Sequence, residues 1–192
     1  PLQRLVANPD GARLATALAA PVRLYTSPAA VRFAASQAEG RLRREGLDLA
    51  VGRGTAGALR RVGVADARSP ARMDSEGVLA MDELQAPIAQ AVGVITAPGG
   101  RGLLIPALRE RGIEVRVAEV YRRTALRGGA RHLAAFVDDA GAVLVASSAE
   151  ALGLLEARLP DADSAAGRAL RTRPVVVSSP RLAALAARAG FL

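Results

Sequence analysis

The chain has 192 residues, of which 51% are hydrophobic and 23% charged, so it is long enough to bury the core of one or two domains. It has no cysteine, one histidine and no run of 18 uncharged apolar residues, which argues against disulfides, thiolate catalysis, a histidine metal centre and a membrane span. The formal charge is +8, but the arginines are scattered and only 3% of residues are aromatic, which argues against a basic, base-stacking nucleic-acid surface.

The first predicted elements alternate between strand and helix. VRLYTS (22–27) predicts a short strand that ends in hydroxyl groups, and Pro28 opens the helix after it. LDLAVG (47–52) and RGTAGALRRVGV (53–64) repeat this order, with Thr55 as a candidate N-cap. Two strand–loop–helix units therefore follow one another.

A third unit follows in the same order. AVGVITA (91–97) predicts a strand, PGGRGLLIPALRERG (98–112) a loop and helix, and IEVRVAEVY (113–121) another strand. Short apolar strands that alternate with amphipathic helices are typical of parallel sheets. The sequence predicts an α/β fold with parallel sheets flanked by helices.

Residues 124–192 repeat the pattern. Predicted strands at AVLVASS (142–148) and PVVVSS (174–179) each precede a helix, at 149–159 and 180–190. The order of turns and helices matches the first half, which predicts two similar lobes. The alternative is that any two strand–helix units in an alanine-rich chain look alike.

Hydroxyl and glycine residues follow most of these strands. Ligands of open parallel sheets bind beyond the carboxyl ends of the strands, where helix N-termini favour anions. The candidate ligand contacts are Thr26, Ser27, Thr55, Gly99, Gly100, Ser147, Ser148 and Ser179. The glycines of APGGRG equally fit a tight turn, and Ser75 in DSEGVLAM fits either an N-cap or a ligand contact.

Six segments occur in a distinctive order along the chain: YTSPAAV, VGRGTAGALRRVGV, DSEGVL, GGRGLLIPALRERGIEVRVAEVYRR, LVASSAEAL and SSPRLAALAARAGF. Their most characteristic feature is a helix that ends LRERG before a strand that ends VYRR. With these segments the chain resembles the uroporphyrinogen-III synthase family over about residues 20–192.

The resemblance implies an architecture of two α/β lobes joined by a two-stranded linker, with the substrate in the cleft between the lobes. The linker strands are then expected at residues 1–7 and 117–123, the middle lobe at 8–116 and the outer lobe at 124–192. Members of the family usually open with a strand and a Thr-Arg-Pro turn and continue beyond the point that matches AGFL. The outer lobe is therefore expected to be incomplete at both ends.

The resemblance also implies a hydro-lyase activity without a cofactor or a metal: closure of the linear octa-acid hydroxymethylbilane to uroporphyrinogen III, with inversion of ring D and loss of water. Tyr121 is the implied catalytic acid, since a phenol is protonated at neutral pH and can donate. Arg101 and Arg122 are expected to bind substrate carboxylates, and Arg123 is expected to lie near them for the same purpose. The alternative for Tyr121 is that its ring only packs at the hinge.

We expect a cytoplasmic monomer that binds a small molecule, with no membrane and no nucleic-acid partner. The main alternative is a non-enzymatic two-lobed binding or regulatory module for an anionic small molecule, and a nucleic-acid-binding protein is a third possibility. Formation of the type III rather than the type I isomer of uroporphyrinogen distinguishes the enzyme from both.

Overall fold

The computed structural model describes residues 3–40, 42, 45–85, 90–99, 102–125, 135–136, 138–139, 141–157 and 164–191. The chain divides into two compact units. The larger is Leu5–Arg123, and the smaller combines Pro1–Arg4 with Thr124–Leu192.

The larger unit is built on a parallel sheet of four strands. They are β2 (Val22–Tyr25), β3 (Leu47–Ala50), β4 (Ala91–Thr96) and β5 (Glu114–Glu119). Their order is β3-β2-β4-β5, and Tyr25 aligns with Ala50 on one side and Ile95 on the other. A separate two-stranded sheet pairs β1 (Gln3–Ala7) with β6 (Tyr121–Ala125). The predicted parallel α/β fold is confirmed for this unit.

Helices cover both faces of the four-stranded sheet. They are α1 (Gly11–Leu18), α2 (Pro28–Gln37), α3 (Arg53–Arg61), α4 (Ser75–Leu79) and α5 (Leu104–Glu110), with a 3₁₀ turn at Asp82–Leu84. Tyr25 and Ile95 belong to the core under α1, α2 and α3, whereas Leu24 and Val94 belong to the core under α4 and α5. Neighbouring residues of a strand point to opposite faces, so near-continuous apolar strands bury both.

The helix starts explain why two predicted caps are wrong. Thr55 was expected to cap α3, but Gly52 is the N-cap and Thr55 lies in the first turn, 5% exposed. Ser75 was expected to cap α4, but the carboxylate of Asp74 accepts the N–H of Gly77 at 2.8 Å instead. Each helix begins earlier than predicted because the preceding residue already has the extended backbone that an N-cap requires.

One glycine allows α1 to lie directly on the sheet. A Cβ atom on Gly93, in the middle of β4, would stand 1.9 Å from the carbonyl oxygen of Ala17 in α1. No side chain fits there without moving the helix. The contact explains a glycine inside a strand, a position where it otherwise weakens the sheet.

The smaller unit contains a parallel pair of strands, β7 (Leu144–Ala146) and β8 (Val175–Val177). Its described helices are α6 (Ala149–Glu156), α7 (Ala165–Arg171) and α8 (Pro180–Arg188). Both predicted strands and the helices that follow them are confirmed, whereas α7 was not predicted. Its core is formed by Ala146, Leu152, Leu155, Ala186 and Phe191.

The predicted linker strand 117–123 covers parts of two elements. Val117, Ala118 and Glu119 pair with β4 as the end of β5, and β6 begins two residues later at Tyr121. The linker and lobe boundaries stay predictions.

No helix in the described part of the chain is long and apolar enough to cross a bilayer.

Candidate active site

A pocket of about 350 Å³ lies at the carboxyl edge of the four-stranded sheet. It is lined by Thr26, Ser27, Thr96, Ala97, Gly99, Tyr121 and Arg123. These residues belong to the segments that follow β2, β4 and β5, because parallel strands all end at the same edge. Four residues predicted from sequence, Thr26, Ser27, Gly99 and Tyr121, therefore meet in one place.

Tyr121 forms the wall of this pocket and is only 3% exposed. Its ring stacks on that of Phe33, with the centroids 5.3 Å apart and the planes 15° from parallel. The guanidinium carbon of Arg123 lies 5.9 Å from the Tyr121 ring centroid, within range of a cation–π interaction. The ring is fixed from two sides, so the hydroxyl has a defined position.

That hydroxyl meets the start of α2. Tyr121 Oη lies 3.1 Å from Ser27 Oγ, and Ser27 Oγ also accepts the N–H of Ala30 at 3.0 Å as the N-cap of α2. The N-terminus of a helix carries partial positive charge. Negative charge on a bound carboxylate is therefore favoured at this point.

The backbone beside Tyr121 is fixed by Val120, the residue between β5 and β6. Its N–H donates to the carbonyl of Thr96 at 3.0 Å, and its own carbonyl accepts from Asn8 N–H at 3.0 Å and Gln37 Nε2 at 2.7 Å. Asn8 Nδ2 also donates to the carbonyl of Glu119 at 2.8 Å. These bonds join segments far apart in the sequence and hold Tyr121 in register with the pocket.

Two threonines form the floor of the pocket. Thr26 Oγ1 lies 2.9 Å from Thr96 Oγ1, and Thr26 N–H donates to the carbonyl of Ile95 at 3.1 Å. Thr96 is 2% exposed and was not predicted as a site residue, since it lies inside the apolar run AVGVITA. Its hydroxyl at the last position of β4 was the signal that could have identified it.

A comparison with protein families identifies the family of the chain. The family described as Uroporphyrinogen-III synthase HemD matches residues 1–191 of the chain. The chain belongs to the uroporphyrinogen-III synthase family. The resemblance seen in the sequence and the enzyme class it implied, a lyase of tetrapyrrole biosynthesis, are thus confirmed.

Solved structures agree with the family. A selenomethionine variant of uroporphyrinogen III synthase from the extremely thermophilic bacterium Thermus thermophilus is 20% identical, with TM-score 0.65, and is aligned over 100% of this chain and 79% of its own. The wild-type form is 22% identical with TM-score 0.51, aligned over 100% of this chain and 78% of its own. A further Thermus thermophilus uroporphyrinogen III synthase structure is 20% identical with TM-score 0.53, aligned over 98% of this chain and 77% of its own. At such identities the likeness concerns the fold. No curated protein matches the sequence.

Three further predicted contacts of this synthase in the larger unit, Thr55, Ser75 and Arg122, do not line the pocket. Thr55 is buried in α3 and Ser75 is in the first turn of α4, while Arg122 is exposed beside Tyr121 without lining the pocket. Gly100 and Arg101 lie outside the described residues. Arg123, which was expected near the substrate carboxylates together with Arg122, does line the pocket.

Three predicted serines belong to the smaller unit of the synthase. Ser148 Oγ accepts the N–H of Ala151 at 3.1 Å and caps α6, and Ser179 Oγ accepts the N–H of Leu182 at 3.3 Å and caps α8. Ser147 is exposed at the end of β7. Both caps repeat what Ser27 does at α2, so the hydroxyl turns have a structural role in either unit.

The chemistry available in the pocket is proton transfer and anion binding. A phenol, three hydroxyls, a guanidinium and a helix N-terminus converge there. Within the described ranges, no group of three or more histidine, aspartate or glutamate side chains is arranged to hold a metal ion. What this set offers is donors and positive charge, which suit a substrate rich in carboxylates.

Proposed function

We propose that the pocket around Tyr121 is the place where this uroporphyrinogen-III synthase starts the cyclisation of hydroxymethylbilane, with Tyr121 as the proton donor. The observation that carries the proposal is the position of Tyr121 Oη, in a pocket at the carboxyl edge of the sheet and 3.1 Å from the N-cap hydroxyl of α2. Hydrogen-bond donors and positive charge surround the phenol, which can give up a proton.

The first step breaks the carbon–oxygen bond of the ring A hydroxymethyl group. Tyr121 gives its proton to the leaving hydroxyl, water departs, and the pyrrole nitrogen supplies the electron pair, leaving an azafulvenium cation and a phenolate. The substituted carbon of ring D attacks this cation to form a spiro intermediate. The bond between this carbon and the methylene bridge to ring C then breaks, which restores the ring D pyrrole and leaves a second azafulvenium cation on ring C. The free carbon of ring D attacks that cation to close the macrocycle, and the proton lost from this carbon returns to the phenolate.

Specificity rests on how the substrate is held. Closure without assistance gives the type I isomer, so the protein must bring one carbon of ring D, and not the other, to the cation. The α2 N-terminus, the backbone at Gly99 and the guanidinium of Arg123 are suited to fix carboxylates at one end of the substrate. The predicted contacts for the remaining substrate carboxylates are Arg101, Arg122, Ser147, Ser148 and Ser179.

Several features remain predictions alongside this proposal: the two-lobed arrangement with a linker and a substrate cleft, the monomeric state, the cytoplasmic location and the lack of a nucleic-acid partner. The alternative of a non-enzymatic binding module predicts binding of hydroxymethylbilane without turnover. Thr55 and Ser75 also remain predicted substrate contacts. Of the two, Thr55 has the weaker support because its side chain is buried.

The direct test is the isomer formed. Purified chain is incubated with freshly made hydroxymethylbilane, the reaction is stopped early, and the products are oxidised and separated as type I and type III porphyrins. We expect type III to form in proportion to enzyme concentration. Only type I, formed at the rate seen in buffer, would contradict the proposal.

A further inference from the structure

We infer that Ser27 is a positioning residue for Tyr121: its hydroxyl donates a hydrogen bond to the phenol oxygen, which directs the Tyr121 proton into the pocket and stabilises the phenolate formed when that proton leaves. The inference rests on the proposed role of Tyr121 as the proton donor. It gives Ser27 a function different from the substrate contact predicted from the sequence.

The contacts of Ser27 support this direction. Its Oγ accepts the N–H of Ala30 at 3.0 Å, and its own proton has the Tyr121 oxygen 3.1 Å away. The helix N–H occupies one lone pair of Ser27 Oγ, and its single proton is available for donation to the Tyr121 oxygen. Tyr121 then has no need to donate to Ser27, and its proton is free to point toward the pocket.

The reaction itself favours the same direction. Once Tyr121 has given up its proton, the phenolate can only accept, so any hydrogen bond with Ser27 must then be donated by Ser27. A serine already in the donor orientation needs no rotation during the step, which is the condition for preorganised electrostatic stabilisation. The partial positive charge at the α2 N-terminus also stabilises the phenolate.

The position of the Tyr121 side chain is restricted by its neighbours. Its ring stacks on Phe33, a residue of the same helix that Ser27 caps, and Val120 fixes the backbone on its N-terminal side. Helix α2 therefore holds the ring through Phe33 and the hydroxyl through Ser27. One rigid element sets both the position of the phenol and the direction of its proton.

The test compares Ser27→Gly with Ser27→Thr in the full chain. Glycine is nearly as good an N-cap as serine but has no hydroxyl, whereas threonine keeps both the cap and the donor. Loss of a hydrogen bond to a developing charge predicts a fall in kcat of about 10- to 100-fold for Ser27→Gly, with KM within about threefold. Ser27→Thr should keep kcat within about threefold of wild type. A substrate contact would instead raise KM.

Two further variants complete the experiment. Asp10→Ala removes the cap of α1, outside the pocket, and should leave kcat unchanged, which controls for the loss of a helix cap. In a Tyr121→Phe background, Ser27→Gly should have no further effect on kcat, because the group it serves is gone. Additive losses, or a raised KM with unchanged kcat, would overturn the role of Ser27. Unchanged kcat in Tyr121→Phe alone would overturn the proposed function with it.

Discussion

Arg23 and Asp48 form a two-point ion pair between neighbouring strands β2 and β3, with Nε to Oδ1 at 2.7 Å and Nη2 to Oδ2 at 2.9 Å. The Arg23 side chain is completely buried, and its Nη1 also donates to the carbonyls of Glu45 and Ala20. The hydrogen bond with Asp48 raises the pKa of Arg23 above its already high ordinary value. A permanent charge therefore stands inside the larger unit.

Breaking this pair should destabilise the fold strongly. Asp48→Asn leaves the Arg23 charge buried without its counter-ion, and we expect the free energy of unfolding to fall by about 3–5 kcal/mol. Urea-induced unfolding followed by circular dichroism measures this. The double variant Arg23→Met/Asp48→Leu, which removes both charges, should recover most of the loss. A single variant within about 1 kcal/mol of wild type would show that the pair contributes little.

The chain's two tyrosines provide a matched test of the proposed acid. Tyr121→Phe keeps the stacked ring and removes only the hydroxyl, so we expect the initial rate to fall about 10²-fold, the low end of general acid assistance. Ring D is still held, so the remaining product should be type III. Tyr25→Phe makes the same chemical change at a buried residue outside the pocket and should leave the rate unchanged. A Tyr121→Phe rate within about twofold of wild type would limit this residue to ring packing.

Two glycine-to-alanine changes should have opposite effects on stability. Gly93→Ala places a Cβ against the carbonyl oxygen of Ala17, so α1 must move and we expect a loss of several kcal/mol, about 3 or more. Gly57 lies within α3, where an added Cβ meets nothing closer than the end of the Arg61 side chain at 3.8 Å. Gly57→Ala should raise the free energy of unfolding by about 0.5–1 kcal/mol. Equal effects in thermal or urea unfolding would contradict the close contact between α1 and β4.

Tyr25 should make the fold sensitive to alkali. Burial raises the pKa of Tyr25 above its ordinary value of 10.0, so the folded chain keeps this phenol neutral while the unfolded chain ionises it. Its contribution to stability is present below pH 10 and is lost as the pH rises above that value. In Tyr121→Phe, Tyr25 is the sole tyrosine, and its phenolate absorbance should rise together with the loss of circular dichroism. Ionisation of Tyr25 near pH 10 in a chain that remains folded would contradict this.

Local patterns in the sequence predicted the elements that position the site. Strand ends with hydroxyls at 26–27, 147–148 and 178–179 were recognised as candidate ligand contacts before helices, and in the structure Ser27, Ser148 and Ser179 cap those helices. The caps of α3 and α4 were placed too late. Glycine and aspartate also cap helices, so N-cap preferences alone do not show which of several neighbouring residues is the cap.

Contacts between distant segments were not predictable in the same way. The stacking of Phe33 on Tyr121 and the bonds from Asn8 and Gln37 to Val120 join residues more than 80 positions apart. Helices α1 and α7 were missed, although Asp10 caps α1 and Ser164 caps α7, so each carried a local start signal in the sequence. The sequence therefore located the edge of the sheet that holds the pocket, while the partners of Tyr121 came only from the structure.

The hydrogen bonds at Val120 connect catalysis to the order in which the larger unit folds. Side chains alternate along a strand, so a shift of one residue in the pairing of β5 with β4 would turn the phenol of Tyr121 away from Ser27. Asn8 and Gln37 can reach the Val120 carbonyl only when the chain start, α2 and β5 are all in place. A newly made chain should thus be inactive until β5 has docked at the edge of the sheet, and turnover would report completion of the sheet.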